Sequence, residues 1–239
     1  MARNQSYLSL LAGLVAVLLA APSLASVNKS IRIGDNEVAD GASTVNGSIS
    51  VGTEATIKGS LTTVNGTIRV GDNSSIGDAE TVNGGIRIAS GVAANDIGSV
   101  NGSVRLAENT KIAGEVSVVN GKITAEKGTT VEKDVSNVNG EIQLTGATIG
   151  GDLSTVSGDV RLNEGSTLNG DLIVRKPGGW GWNKNKRKPE IVIGPGSKVV
   201  GELRLEREVE LYISETAKVG GVSGKMSMDD AIRFSGDHP

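Results

Sequence analysis

Side chains suited to chemistry are concentrated in one stretch, Arg175 to Glu190. It holds both tryptophans of the chain, Trp180 and Trp182, and six positive charges against one negative. Indole faces stack on sugar and other ring faces, and cations meet carboxylate or phosphate. Trp180, Trp182, Lys184, Lys186, Arg187 and Lys188 are therefore the expected partner-binding residues. The bland alternative is a solvated loop. Elsewhere the residue types argue against catalysis. The one histidine, His238, stands next to last, and there is no cysteine. This removes histidine-cluster mechanisms, thiolate zinc sites, cysteine nucleophiles and disulfides. Acidic residues such as Asp72, Asp78 and Asp96 are read as not sharing one repeat position, and calcium loops of the Gly-Gly-x-Gly-x-Asp kind are absent. No enzyme activity, metal or cofactor is expected. The formal charge of −3 gives no general attraction to nucleic acid.

The rest of the chain is scaffold, and its period is plain. Thr44-Val45-Asn46-Gly47 returns as Thr63-Val64-Asn65-Gly66 and Thr81-Val82-Asn83-Gly84, then around Asn101, Asn120 and Asn139. Degenerate copies stand at Asn28 and Ser157. The eight markers thus fall at positions 28, 46, 65, 83, 101, 120, 139 and 157, each differing from the last by 18 or 19. Three and five residues after the marker come aliphatics such as Ile68 and Val70 or Ile86 and Ile88. They alternate with polar residues, the pattern of a strand with one buried face. Upstream lies a second element, as in Ile57-x-Gly59-x-Leu61 and Ile112-x-Gly114-x-Val116. The inward positions are read as −8, −4, −1, +3 and +5 relative to the marker.

A unit of this length is too short for a propeller blade but suits one coil of a β-solenoid. One coil buries too little to offset its ordering entropy, so stability must come from stacking on neighbours. A narrow aliphatic interior also accounts for a chain of 239 residues with only five aromatics. At the corner, Asn and Gly are expected to supply a left-handed backbone. Stacked amides of Asn28, Asn46, Asn65, Asn83, Asn101, Asn120 and Asn139 are expected to form a structural ladder along the rod.

The run from Ile149 to Val160, Ile-Gly-Gly-Asp-Leu-Ser-Thr-Val-Ser-Gly-Asp-Val, resembles the bactofilins. That family consists of polymer-forming bacterial proteins folded as right-handed β-helices of aliphatic coils. The resemblance covers about residues 57–222 and implies the same fold and self-association through coil ends. The Val-Asn-Gly marker also resembles repeats of exported β-solenoid adhesins. The chain departs from the bactofilins in its first 25 residues. Arg3 precedes an apolar run from Leu8 to Ala21, and Pro22 to Ala25 offers a cleavage site. This reads as a secretory signal.

The expectation is thus an all-β, single-stranded right-handed β-helix (β-solenoid) of about ten coils of 18–19 residues after a cleaved signal peptide. Residues 1–25 are the signal, 26–174 regular coils, 175–190 an inserted loop, 191–222 the final coils and 223–239 a tail. In that tail Met226, Met228, Ile232 and Phe234 would cover the end. The expected role is a non-enzymatic exported scaffold of the cell envelope, periplasmic or at the cell surface, self-associating as a dimer or polymer. The alternative is an adhesin-like module whose loop binds an anionic envelope polymer or polysaccharide. No nucleic acid partner and no membrane span in the mature chain are expected.

Overall fold

The computed structural model describes residues 24–177 and 187–239. The chain winds as a β-solenoid in which every inter-coil pairing is parallel, as between Ile86–Ile88 and its neighbours Ile68–Val70 and Val104–Leu106. Each full coil has three faces. A short face carries strands such as Ile86–Ile88, a third face two-residue strands such as Ala93–Ala94, and a long face strands such as Ile97–Asn101. The short-face sheet has eleven strands, from Ile31–Ile33 to Ile232–Phe234. The solenoid therefore has about eleven turns rather than ten, because the tail adds a strand of its own. Toward the C-terminus, Lys198–Leu205 runs through both the third and the long face.

The unequal spacing of the markers is absorbed at an exposed corner. Ile57 and Leu61 enclose three residues, whereas Ile76 and Ala79 enclose two, and all four ends point into the core. The interior is a continuous column of Ile, Leu and Val, with Ile86, Ile97, Val104, Ile112 and Ile142 essentially unexposed. Burial of this apolar column is the main favourable term.

Two expectations about the marker are corrected. The valine before it does not face inward: Val45, Val64, Val82, Val100, Val119 and Val138 lie half-buried on the outer side. Strand period decides this. With Leu61 at −4 pointing in, Thr63 at −2 must follow it, and −1 must point out. The core therefore takes a column of Thr44, Thr63, Thr81 and Ser99. Each hydroxyl donates to the corner carbonyl of the preceding coil, Thr63 to Gly47 O at 2.8 Å and Thr81 to Gly66 O at 3.1 Å. Asn137 does the same with its amide, to Gly121 O at 2.8 Å. Buried polar groups are thereby paired.

The second correction concerns the corner glycine. Gly66, Gly84, Gly102 and Gly121 have no left-handed φ; a Cβ at any of them would fall on the carbonyl of the coil below. Gly140 excepted, left-handed residues recur on the opposite side of the coil, as at Asn36 (φ 58°), Asn73 (φ 55°) and Asn109 (φ 59°), in the turn after the short face. Glycine at the marker is required by close approach at each of these corners, and by backbone sign as well only at Gly140 (φ 126°).

Candidate functional site

The outer surface is organised in columns, because parallel in-register coils place equivalent residues above one another. The asparagine column is continuous. Asn46 Nδ2 donates to Asn28 Oδ1 at 2.8 Å, Asn65 to Asn46 at 2.8 Å and Asn83 to Asn65 at 3.0 Å. Asn101, Asn120 and Asn139 extend it at 3.0, 2.9 and 2.9 Å. These amides are exposed, so each bond contributes only modestly over hydration, about 0.5–1.5 kcal/mol. Asn101→Ala removes two bonds and is expected to cost about 1–2 kcal/mol, with Asn28→Ala near half of that. Thermal melts of the two variants check this, and equal shifts would contradict a ladder.

A second column corrects the reading of the acids. Asp78 and Asp96 do share a repeat position, five residues before Asn83 and Asn101, and Asp134 and Asp152 continue it. Each carboxylate accepts the backbone N–H of its counterpart one coil later. Asp78 Oδ1 takes Asp96 N at 3.2 Å, Asp134 Oδ1 takes Asp152 N at 2.8 Å, and Asp152 Oδ1 takes Asp171 N at 2.9 Å. These bonds offset the like-charge repulsion of a stacked acid row. Asp72 stands apart, in the turn after the short face, where its Oδ1 accepts Ser90 N at 2.9 Å.

The acid row acts on its neighbours. Burial, then Asp78 and Asp96, push the Glu80 carboxyl above its usual range, and burial, then Asp96 and Asp134, do so for Glu115. A carboxyl raised by folding binds its proton more tightly folded than unfolded. Its ionisation therefore destabilises the protein as pH rises above the ordinary value of 4.5. Glu80→Gln is expected to raise the melting temperature at neutral pH, by a few tenths of a kcal/mol in stability, since Glu80 is partly solvated. The gap should close on acidification to about pH 4. A gap independent of pH would count against this origin.

The third column is basic. On the short face Arg69, Arg87 and Arg105 are in register. Arg105 pairs with Glu126 at 2.8 Å, and from there on the charges of this face neutralise one another. Lys122 meets Glu141 at 2.9 Å, and Arg161 lies between Glu141, at 3.2 Å, and Glu190.

Of the six residues expected to bind a partner, Trp180, Trp182, Lys184 and Lys186 lie outside the described residues. Arg187 and Lys188 are described, and both are engaged. Arg187 reaches Asp159 at 2.9 Å and Lys188 reaches Glu208 at 2.8 Å. These two cations tie the base of the insert to the rod. Glu190, placed at the end of the insert by its sequence, instead opens the short-face strand Glu190–Ile193. His238 lies back along the short face beside a shallow depression lined by Glu141, Arg161, Glu190 and Tyr212. Among the described residues no group of three or more His, Cys, Asp or Glu is arranged to hold a metal ion, and no helix is long and apolar enough to cross a membrane.

Comparison with known proteins gives no match: no family model, no curated protein and no solved structure is similar to this chain. Of the three columns, only the asparagine ladder was read from the sequence as a shared offset from the marker. What the sequence could not supply is the backbone N–H that makes an acid row tolerable.

Proposed function

We propose that the protein is a non-enzymatic scaffold of the cell envelope, exported and self-associating through the N-terminal end of its solenoid. The observation that carries this reading is the contrast between the two ends. At the first coil, Leu24–Ser26, Ile31–Ile33 and Val38–Ala39 are each paired on one side only among the described residues. Leu24, Val27 and Val38 are exposed there. An open parallel edge with apolar flanks is a template for another chain. Cleavage after Ala25 would sharpen it. It would remove Leu24 and Ala25 and leave their partners Ala42 and Ser43 paired only with the following coil, at Leu61 and Thr62.

At the other end Lys218–Gly224 and Ile232–Phe234 are also paired on one side only, but there the chain adds cover of its own. Met226 and Met228 pack on the core, and Phe234 is buried in the last short-face strand. Ile232, expected in the cap, points outward and is 55% exposed. One bare end and one partly covered end favour a closed two-fold dimer. The resemblance to polymer-forming bactofilins supports the same role by analogy of fold. Sedimentation of residues 26–239 over a concentration series tests it. Dimers that dissociate on dilution support the proposal, and a monomer at high concentration removes it.

A further inference from the structure

Arg32, Arg69 and Arg87 stand exposed along the N-terminal half of the short face and form no ion pair among the described residues. Farther along the same face Arg105, Lys122 and Arg161 are answered by carboxylates, the last two in the Lys122, Glu141, Arg161 and Glu190 network. The difference lies in the flanking residues. Where Glu141 and Glu190 flank the later cations, Thr67 and Gly71 flank Arg69, and Gly85 and Ala89 flank Arg87. The acids that follow Arg32 and Arg69 by three residues, Asp35 and Asp72, are turned onto backbone amides of the next coil, Thr53 and Ser90, both at 2.9 Å. The result is a flat floor carrying guanidinium groups in line with the rod axis. Adjacent coils are separated by about 4.8 Å, so Arg69 and Arg87 repel one another without compensation from their own surroundings, whereas Arg105 on the next coil is answered by Glu126.

We propose that this stripe binds an extended acidic polysaccharide, a polyuronate class ligand lying along the rod. Guanidinium forks match carboxylates in bidentate geometry. An extended polyuronate presents one carboxylate per sugar, a linear array that can meet Arg69 and Arg87 on consecutive coils and Arg32 two coils before Arg69, beyond Ser50. A nucleic acid fits less well. Its strand carries a phosphate about every 3.4 Å, and base stacking needs aromatic rings. Residues 24–177 contain none. A second copy of the chain is the other candidate anion, but the carboxylates of its Asp78 and Asp96 row already accept backbone N–H groups. This site is distinct from both the open end and the tryptophan insert.

The test is titration calorimetry of the purified full chain with polygalacturonate oligomers, with neutral dextran, oligo-dT and inorganic polyphosphate as comparison ligands. Binding to polygalacturonate should weaken with salt. It should fall about tenfold in R69Q/R87Q, two exposed charge pairs each contributing severalfold. It should be unchanged in Arg161→Gln, and unchanged when 178–186 are replaced by a Gly/Ser linker, provided each variant keeps the wild-type melt. The proposal is overturned if R69Q/R87Q binds as tightly as wild type or if dextran competes equally. It is also overturned if oligo-dT or polyphosphate binds more tightly at equal charge. Loss of self-association in R69Q/R87Q with polygalacturonate binding intact would assign the stripe to a second copy instead.

Discussion

Gly102→Ala is expected to destabilise the protein by about 3 kcal/mol or more, a large effect for one methyl group. The added Cβ would meet the carbonyl of Gly84 in the coil below, with the backbone N of Gly85 next at 3.0 Å. Neither can rotate away as a side chain could. Relief would require the two coils to part, and that stretches the ladder on the long face, where Asn83, Asn101 and Asn120 are held in register. Gly221→Ala is the control. Its Cβ would meet only the side chain of Glu202, at 3.6 Å, so a change within about 0.5 kcal/mol is expected. Denaturant unfolding of both variants decides it. Similar losses would show that inter-coil approach is not what selects glycine.

Deleting Lys225–Pro239 is expected to convert dimers into longer polymers. The deletion removes the strand Ile232–Phe234 from its pairing with Tyr212–Ser214 and takes Met226 and Met228 off the core. Val209, Leu211 and Ile213, now 3% exposed or less, would lose their cover. Val209 N would also lose the Met226 sulfur that it reaches at 3.3 Å. A second open end turns a contact that closes on itself into one that propagates. Light scattering should report a mass that climbs with concentration while circular dichroism stays β-rich. A truncated protein that keeps its β signal and remains dimeric would place the interface elsewhere than the coil ends.

Fold was legible here because a solenoid writes itself into sequence once per coil. Ile68, Ile86 and Val104 recur at one offset because they fill one column. What escaped was set by forces between coils. Valine before the marker looked inward because it is the more apolar of two adjacent residues. The buried threonine beside it is stabilised by a carbonyl 2.8–3.1 Å away in another coil, as for Thr63 and Thr81. Asp78 and Asp96 looked unrelated because a stack of like charges is costly in isolation. Its compensation is a main-chain donor that no side-chain pattern reveals. Arg187 and Lys188 looked free because Asp159 and Glu208, their partners, lie about one coil away in the chain on either side of the insert.

The coils that carry these columns also work as a graduated ruler. Arg87 lies on the fourth short-face strand and Glu190, where the insert rejoins the rod, on the ninth. Five graduations of ~4.8 Å set the separation of the arginine stripe from the insert at roughly 24 Å. Removing or duplicating one whole coil between Leu106 and Asp159 would move the insert by one graduation and leave the chemistry at either mark untouched. Reach would thus be adjustable in quantised steps, independent of any change in a ligand-facing side chain.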